Sequence, residues 1–546
     1  MNTVLKQLRE ELNQILITFD IDENIQISVS KIPNFDIQIN NIVKYQTHKS
    51  IKEIKKEFLK KIENTNYFSS AEFGEKLFIN LKFNHINCVS NITNLKEDFT
   101  NKNSEKIILD YGGPNIGKPL HVGHLRSLNI GRSLYNMNKF IGNKVSSDIH
   151  LGDWGMPVAQ IISYIDIKEI DINTLEVSDL ESIYPISSNE YRTNKKFEEY
   201  AKETNKKLNE GVEEVVLKWK IIKDLSVSSI KESLDKLNHD FDYWFGESDV
   251  NDLIPDMLEN LLKQEKIEYD DNALVSTEDT DPRVLITKSD GSYLYITTDL
   301  ATIISRQRNI PSEKIFYIVD TRQSLHFKQL FSSAKYFEFD KLDYNHIGFG
   351  TLNDESGNPF KTREGGTKPL LELFDETYEY IFKVNKSLDK KSISILTNTV
   401  LTYSDLLTNR KTNYKFDLKK FTNVSGKTGI YVQYSQVRAK NLLNSFKDTG
   451  SDEISNNILE IEADLLSKLF LFQHYLERSI ELSEPHHLAD YLYDISNLFN
   501  IFYEDEKILN ISDKEIQKSK LFITKFFLRT CHSVMYCLGI EPVDEM

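Results

Sequence analysis

The stretch that decides the fold is Lys106-Ile-Ile-Leu-Asp-Tyr-Gly-Gly-Pro-Asn-Ile-Gly-Lys-Pro-Leu-His-Val-Gly-His-Leu-Arg126. Its apolar, β-branched run at residues 107–109 predicts a buried strand, and the glycines and proline that follow predict a turn. Residues 125–140 contain no proline and predict a helix. His121 and His124 therefore fall at a strand-to-helix corner, where the N–H groups of a helix N-terminus attract anions.

Two imidazoles at such a corner suit nucleotidyl transfer. They can donate hydrogen bonds to the oxygens of an α-phosphate as its charge spreads during in-line attack. Gly123 lies between them, and its missing side chain lets a nucleotide approach the backbone. The pattern His-x-Gly-His is short, and its alternative meaning is a helix cap with two surface histidines. The strand, turn and helix that surround it in the required order favour the anion site.

The residues 114–127 closely resemble the ATP-site signature of class I aminoacyl-tRNA synthetases, specifically the arginyl-tRNA synthetases. Four later stretches resemble further blocks of that family and follow in the family's order: His150–Gly155, Asp290–Asp299, Asp320–His326 and Phe360–Thr367. The resemblance extends from about residue 105 to the last residue. The first hundred residues match the family only loosely.

Element patterns together with this resemblance predict a multidomain α/β protein. Residues 1–104 are expected to form an α+β domain, with helices around Leu5, Leu8, Leu12 and Ile15 and around Lys52–Lys61, and a strand at Ile79–Phe83. Residues 105–380 are expected to form a doubly wound parallel-sheet, Rossmann-like catalytic domain with a helical insertion at about 164–282. Its further strands are predicted at 144–151, 284–287, 292–297 and 315–319. Residues 381–546 carry apolar side chains at spacings of 3 and 4, which predicts an all-α bundle.

Composition sets broad bounds on the answer. The chain has 546 residues, 40% of them apolar, and a formal net charge of −16. That charge argues mildly against a nucleic-acid partner, although local basic patches suffice for tRNA. Three scattered cysteines predict neither a disulfide framework nor a zinc site. The absence of a signal-peptide pattern and of a long apolar run predicts a cytoplasmic protein with no membrane partner.

The resemblance implies an enzyme that attaches L-arginine to tRNA(Arg) through an arginyl-adenylate, releasing AMP and pyrophosphate. ATP would be a substrate, with Mg²⁺ carried by its phosphates and no metal held tightly by the protein. The N-terminal domain would meet the tRNA elbow, and the C-terminal bundle would bind the anticodon. We expect a monomer. The family also implies that activation waits for bound tRNA.

The cations of the ATP site are predicted from both the residues and the resemblance. Lys361 and Arg363 stand in a glycine-rich stretch that could close over the β- and γ-phosphates, whereas in an unknown protein a solvated basic turn would be the simpler interpretation. This stretch departs from the common class I signature Lys-Met-Ser-Lys, and Lys118 is a plausible substitute for the missing lysine. The predicted catalytic residues are His121, His124, Lys361, Lys118 and Arg363, and the predicted ATP-binding residues are His121, Gly123, His124, His326 and Lys361. His326 could equally be a buried structural histidine.

An arginine pocket needs a carboxylate at its far end, because a guanidinium presents a planar fork of donors. Asp299 is expected to follow a strand at 293–295, and Tyr295 and Asp299 match the family's side-chain-recognising tyrosine and aspartate. Asp110 and Asn115 match positions that hold the substrate's α-amino group and nearby atoms, and Gln323 matches a further pocket residue. A buried aspartate is otherwise more often a structural cap than a ligand.

Two rival functions remain open from the sequence. One is another nucleotidylyltransferase of the same superfamily that joins a small acid to an amine without RNA. The large helical C-terminal region argues against it. The other is a synthetase-like paralogue that binds RNA or a regulator without catalysis, and the intact set of His121, His124, Lys361 and Asp299 argues against that.

Overall fold

The structure is a computed structural model that describes residues 2–45, 48–74, 78–94, 104–277, 283–289, 291–354, 356–358, 368–446, 459–505 and 508–546. Contacts within the chain define two compact units. One unit consists of Met1–Thr100, Asn423–Cys537 and Glu541–Met546, and the other of Asn101–Thr422 with Leu538–Ile540. Within the described ranges, no helix is both long enough and apolar enough to span a bilayer.

The N-terminal residues build a four-stranded antiparallel sheet with helices, in the strand order β1-β2-β4-β3. Its elements are α1 (Asn2–Thr18), β1 (Ile27–Val29), β2 (Ile37–Ile39), α2 (Ile51–Asn64), β3 (Phe68–Phe73), β4 (Ile79–Phe83) and α3 (His85–Asn94). Both predicted helices and the predicted strand are confirmed. One detail differs: Leu16 lies in the core, whereas Ile15 is only partly buried. A repeat of 3.6 residues allows either position to follow Leu12 on the buried face.

This sheet shares its unit with the C-terminal helices, and the two make direct contacts. The ring of Phe83 meets Phe470 edge-on at 5.5 Å between centroids. Nε2 of His85 lies 2.7 Å from Oγ of Ser467. These contacts join chain segments that are almost four hundred residues apart in the sequence into one core.

The second unit contains nine strands and eleven helices among the described residues. The strands are β5 (Lys106–Tyr111), β6 (Lys144–Asp148), β7 (Ile267–Asp270), β8 (Ala273–Ser276), β9 (Leu285–Thr287), β10 (Lys314–Ile318), β11 (Asp343–His346), β12 (Leu352–Asn353) and β13 (Tyr414–Lys415). The helices are α4 (Leu125–Phe140), α5 (Met156–Ile167), α6 (Val177–Thr193), α7 (Lys195–Asn209), α8 (Glu213–Lys236), α9 (Ile254–Lys263), α10 (Tyr295–Asn309), α11 (Ser324–Tyr336), α12 (Leu370–Val384), α13 (Lys390–Leu406) and α14 (Leu418–Phe421).

A parallel four-stranded sheet with the order β11-β10-β5-β6 forms the centre of this unit. Strand β5 lies in the interior of the sheet, and Ile108 and Leu109 are fully buried. The chain continues from β5 to β6 on one side and later returns to β10 on the other. The carboxyl ends of β5 and β10 therefore mark the topological switch point, where ligands bind in open α/β sheets. The predicted parallel sheet, the strand near 315–319 and the helix at 125–140 are confirmed.

Two stretches predicted as strands of the parallel sheet do not belong to it. The stretch 284–287 was expected to resume the parallel sheet, but β9 pairs antiparallel with β8 in a separate three-stranded sheet. The stretch 292–297 was expected to be a strand, yet α10 begins at Tyr295. Ile296, Leu300 and Ile303 are buried at helical spacing. Alternation over only a few residues cannot separate a short strand from the first turn of a helix.

The predicted insertion is helical, as expected, with α6 to α9 in it and the hairpin β7–β8 near its end. Apolar side chains of α5, α7 and α8 share a buried core that includes Ile161, Leu208 and Ile222. This core holds the insertion helices against α5, which follows strand β6 in the chain.

The C-terminal part of the first unit is a helical bundle, as predicted. Its helices are α15 (Gly429–Asn444), α16 (Glu460–Leu469), α17 (Phe472–Glu481), α18 (His486–Asp505) and α19 (Lys514–Leu538). The apolar pattern from Leu465 to Leu476 is divided between two helices rather than one. The rings of Phe499 and Phe527 stack at 4.1 Å with an interplanar angle of 2°, which fixes α18 against α19.

Candidate active site

A pocket of about 490 Å³ opens at the carboxyl ends of β5 and β10. It brings together six of the predicted site residues, which are Asp110, Asn115, His121, Gly123, His124 and Gln323. Most of these come from the strand, the turn and the helix start that the sequence places in succession. The pocket therefore occupies the topological switch point of the sheet.

The histidine corner, defined here as residues 121–124, is a 3₁₀ turn that leads into α4. Nδ1 of His121 accepts the N–H of Gly123 at 3.1 Å, and Nδ1 of His124 accepts the N–H of His121 at 3.0 Å. A neutral imidazole that accepts at Nδ1 carries its proton on Nε2. Both rings consequently keep an Nε2–H group available as a donor to a ligand.

Burial keeps these imidazoles neutral. Burial, together with the neighbouring His121 and Lys118, lowers the pKa of His124 to about 3. The pKa of His121 is lowered by burial and then by the charge of Lys118. The two ring centroids are 3.9 Å apart. At neutral pH the corner therefore offers two uncharged hydrogen-bond donors, aligned by main-chain groups.

Gly123 has a packing role as well as the predicted one. A Cβ atom at this position would lie 2.8 Å from Cε1 and 2.9 Å from Nδ1 of His121. Real side chains do not approach so closely, so any larger residue would displace the imidazole. Glycine at position 123 is thus required by the histidine itself.

The start of α4 is anchored by residues that the sequence analysis did not single out. Oγ of Ser127 accepts the N–H of Gly112 at 2.9 Å and donates to the carbonyl of Ile318 at 2.7 Å. Buried Arg126 forms an ion pair with Asp405 at 2.9 Å. These bonds tie β5, β10 and α13 to the first turn of α4, which holds the histidine corner in place. Their signal was present in the sequence, because Arg126 and Ser127 lie two and three positions after the second histidine.

Asp110 stands near the end of β5 and is the predicted partner of the substrate's amino group. Nη2 of Arg306, in α10, donates to Oδ2 of Asp110 at 2.7 Å. Burial raises the pKa of Asp110, and the positive charge of Arg306 opposes that rise. A carboxylate that lines the pocket and is paired with one cation can accept a further hydrogen bond from a ligand.

Tyr295, Asp299 and His326 do not line this pocket but lie together elsewhere in the same unit. Nε2 of His326 is 2.6 Å from Oδ2 of Asp299, and this hydrogen bond raises the pKa of the imidazole. His326, a predicted ATP contact, is therefore bonded to the predicted guanidinium-binding carboxylate, and its contact with ATP stays a prediction. The pKa of Tyr295 is raised by partial burial and then by the charge of Glu247.

Glu247 is a functional candidate that sequence reasoning missed. It begins the 3₁₀ turn Glu247–Leu253, which packs against α10. Burial, together with the charges of Asp299 and Asp153, raises its pKa to about 8. A carboxyl group with such a pKa beside a second carboxylate is typical of a site that awaits a cation. We refer to Glu247, Tyr295 and Asp299 as the acidic cluster. The sequence offered one signal, since Gly246 and Glu247 end the aromatic run 241–245.

The predicted cations are only partly described. The ammonium group of Lys118 lies 4.0 Å above the ring of Tyr184, on α6, and not among the residues that line the pocket. Lys361 and Arg363 lie outside the described residues. Their proposed action on the departing phosphates stays a prediction.

The described ranges contain one cluster of side chains that could bind a metal ion. This group has its ligand atoms within 4.8 Å of one another, and it consists of Glu484, His486 and His487 in the helical bundle. The positive charge of Arg478 is near enough to lower the pKa of His487, after the larger effects of burial and His486. A neighbouring cation opposes a metal ion there, and this group lies in the unit that does not contain the pocket.

Two family models match consecutive parts of the chain. The model of the class I tRNA synthetase (R) catalytic domain matches residues 87–418, and the model of the DALR anticodon-binding domain matches residues 432–546. Among curated proteins, the arginine–tRNA ligase of Agathobacter rectalis is 34% identical, with 89% of each chain covered. The arginine–tRNA ligase of Francisella tularensis subsp. novicida is 32% identical, with 90% of each chain covered.

Solved structures show the same architecture. An arginyl-tRNA synthetase of Thermus thermophilus superposes with a TM-score of 0.85 over the whole of both chains, at 18% identity. An arginyl-tRNA synthetase of Plasmodium falciparum gives a TM-score of 0.83 over 99% of both chains, at 23% identity. At these identities the structural comparison bears on the fold alone.

Proposed function

The chain belongs to the arginyl-tRNA synthetase family of class I aminoacyl-tRNA synthetases, and from that premise we propose how its residues carry out the ATP-dependent attachment of L-arginine to tRNA. The single observation that carries the assignment of roles is the histidine corner. Its two neutral Nε2–H donors stand at a helix N-terminus in the switch-point pocket. This is the arrangement that a phosphate undergoing nucleotidyl transfer requires.

In the activation step, a carboxylate oxygen of arginine bonds to the α-phosphorus of ATP while the bond from that phosphorus to the pyrophosphate oxygen breaks. His121 and His124 donate hydrogen bonds to the α-phosphate oxygens as their charge is redistributed. No protein nucleophile takes part, because positioning and charge stabilisation suffice. Mg²⁺ enters with ATP, bound mainly to phosphate oxygens.

Recognition of arginine is divided between two ends of the site. Asp110 and Asn115, both in the pocket lining, take the α-ammonium end. Asp299 takes the guanidinium, and Glu247 joins it as a second carboxylate whose raised pKa falls when the cation arrives. A planar guanidinium can satisfy two carboxylates at once, which a lysine ammonium or an uncharged citrulline cannot do equally well.

Pyrophosphate release depends on cations. Lys118, Lys361 and Arg363 neutralise the β- and γ-phosphates as negative charge moves onto the leaving group. The charge of Lys118 already reaches both imidazoles, since it lowers their pKa. Rotation of its side chain away from Tyr184 would direct the ammonium group toward the nucleotide.

In the second step, a hydroxyl of the tRNA's terminal ribose attacks the arginyl carbonyl carbon, and AMP departs. Residues 1–104 contact the elbow of tRNA(Arg), and the bundle within 381–546 binds its anticodon. The match of residues 432–546 to an anticodon-binding domain supports the latter role. The protein acts as a monomer in the cytoplasm.

Pyrophosphate exchange tests this proposal. The purified chain is incubated with ATP, labelled pyrophosphate and each amino acid in turn, with and without tRNA(Arg). We expect exchange with arginine and with no other amino acid. Arginylation of tRNA should follow. Exchange with a small acid and no transfer to RNA would indicate a different nucleotidylyltransferase. No exchange under any condition would indicate a non-catalytic paralogue.

A further inference from the structure

Arg306 is a buried guanidinium that joins the ends of two central strands. Its Nη2 donates to Oδ2 of Asp110 at 2.7 Å and to Oδ2 of Asp148 at 2.5 Å. Asp110 and Asp148 are direct neighbours in the register of β5 and β6. The arginine side chain is 2% exposed, and its guanidinium carbon lies 5.7 Å from the ring centre of Tyr317. One nitrogen therefore holds two carboxylates at the edge of the pocket.

This arrangement is costly for the fold. Nε and Nη1 of Arg306 are buried without a hydrogen-bond partner among the described residues. Buried polar groups without partners destabilise a protein, and a buried ion pair is often no more stable than apolar side chains of similar volume. A guanidinium with two unused donor atoms is therefore better explained by a task in the site than by stability.

The charges of the cluster match one substrate group. Two carboxylates and one guanidinium leave a net negative charge, and Asp110 is the member that lines the pocket. Nδ1 of His150 is 3.8 Å from Oδ2 of Asp148, which is too far for a hydrogen bond. A single ammonium group at Asp110 would balance the cluster. Asp148 is fully buried, so it can act only through Arg306 and Asp110.

The same helix carries the opposite end of the predicted substrate site. Asp299 and Arg306 are both in α10, seven residues apart. Seven residues make about two turns, so both side chains point to the same face and stand about 10 Å apart along the axis. One rigid helix thus contributes the guanidinium-binding carboxylate at its start and the partner of Asp110 near its end.

We propose that Arg306, supported by Asp148, is a positioning residue that holds the carboxylate of Asp110 ionised and oriented for the α-ammonium group of the amino-acid substrate. This inference rests on the proposed function and extends it by two residues to which no role has been assigned. Arg306 does not touch the substrate itself. Removal of Arg306 should weaken the binding of every ligand that has an ammonium group at this end. The binding of ligands that lack this group should not change.

Two arginine analogues separate these outcomes. Agmatine keeps the ammonium and guanidinium groups but has no carboxylate, whereas 5-guanidinopentanoate keeps the carboxylate and guanidinium but has no ammonium. Inhibition constants of both, and the KM of arginine, are measured in tRNA arginylation with wild type, Arg306→Gln, Arg306→Lys and Asp148→Asn. Arg308→Gln, an exposed position in the last turn of α10, is the matched control.

In Arg306→Gln, we expect the KM of arginine and the inhibition constant of agmatine to rise about 10- to 100-fold, the usual effect of losing a hydrogen bond to a charged group. The constant for 5-guanidinopentanoate and the KM of ATP should stay unchanged. Arg306→Lys should restore part of the loss, since it keeps the charge. Asn has nearly the same shape as Asp. Asp148→Asn should therefore also raise the KM of arginine and the inhibition constant of agmatine, but by less than Arg306→Gln does.

The proposal would be overturned if the binding of arginine, agmatine and 5-guanidinopentanoate weakened equally. An unchanged KM for arginine would also overturn it. If Arg306→Gln does not fold, as judged by circular dichroism and thermal melting, Asp148→Asn and Arg306→Lys decide the question by the same criterion. Failure of the proposed function is separate, because it would be visible in the wild type as no arginylation of tRNA.

Discussion

The histidine corner and the acidic cluster lie in the same unit but are built differently. The corner comes from one continuous stretch, and main-chain N–H groups hold its neutral imidazoles. The acidic cluster joins Glu247 to Tyr295 and Asp299 from a distant part of the chain, and burial followed by the charge of Asp299 raises the pKa of Glu247. Main-chain groups orient the corner, whereas the cluster gathers carboxyl groups whose negative charge favours a cation. Changes at the corner should therefore alter the rate, and changes in the cluster should alter which amino acid binds.

The largest expected effect concerns discrimination at the acidic cluster. The wild type should reject citrulline relative to arginine by about 10⁴- to 10⁵-fold, because an uncharged side chain leaves buried polar partners unpaired. Asp299→Asn should raise the KM of arginine strongly and narrow this gap, while the KM of ATP stays nearly unchanged. Pyrophosphate exchange with arginine and with citrulline measures how strongly the enzyme discriminates between them. Wild-type KM and wild-type rejection of citrulline in the variant would show that the carboxylate is structural.

Changes at the histidine corner should produce the next largest effect, which is on the rate of adenylate formation. His121→Ala and His124→Ala should each slow adenylate formation by about 10²- to 10³-fold, the usual result of removing one preorganised donor to a transition-state oxygen. Substrate affinities should change less. Single-turnover measurements of activation give the rate directly. Rates close to wild type in both variants would contradict the proposed role of the corner, and unchanged thermal melting serves as the folding control.

Glu247 of the acidic cluster should make arginine binding depend on pH. Glu247, with a pKa of about 8 in the free protein, is mostly protonated at pH 7 and must lose its proton to pair with a guanidinium. The KM of arginine should therefore fall by up to about tenfold per pH unit as pH rises from 6.5 toward 8 and then level off. Glu247→Gln should remove this slope. A slope that persists in Glu247→Gln would assign the proton to another group.

The smallest effect is expected for Tyr184, which lies near Lys118, just before the histidine corner, and near Tyr295 of the acidic cluster. Tyr184 contacts the ammonium group of Lys118. Tyr184 also raises the pKa of its neighbour Tyr295, after the larger effects of burial and Glu247. Tyr184→Leu should change the activation rate by about two- to fivefold, which corresponds to one partly exposed cation–π contact. Tyr184→Phe keeps the aromatic ring and should behave like the wild type. If both variants change the rate equally, the hydroxyl group and not the ring is responsible.

Composition alone would have pointed away from the RNA partner. A net charge of −16 is unusual for a protein that binds a polyanion, yet the chain belongs to a family of tRNA synthetases. Net charge sums the whole surface, whereas phosphate contacts depend on local groups of basic side chains. Ordered sequence blocks were a better guide than the total charge.

Prediction from the sequence succeeded where the determining residues are neighbours in the chain. Strand β5, the turn, the histidine corner and α4 follow within 35 residues, so local propensity and capping specify them together. Prediction failed at 292–297 because the alternating residues before Tyr295 resemble a strand, and only burial of Ile296, Leu300 and Ile303 against the core selects a helix. The identities of Tyr295 and Asp299 came from the family resemblance and were independent of that error.

The sequence by itself determined the family, the parallel-sheet architecture and the histidine corner, because each is encoded in contiguous residues whose spacing is readable without coordinates. Only the tertiary structure decided which distant charges meet. It placed Glu247 beside Asp299 and brought Arg306 to Asp110 and Asp148 from positions almost 200 and 160 residues away. Electrostatic interactions depend on distance in space and on burial, and neither quantity can be read from separation along the chain.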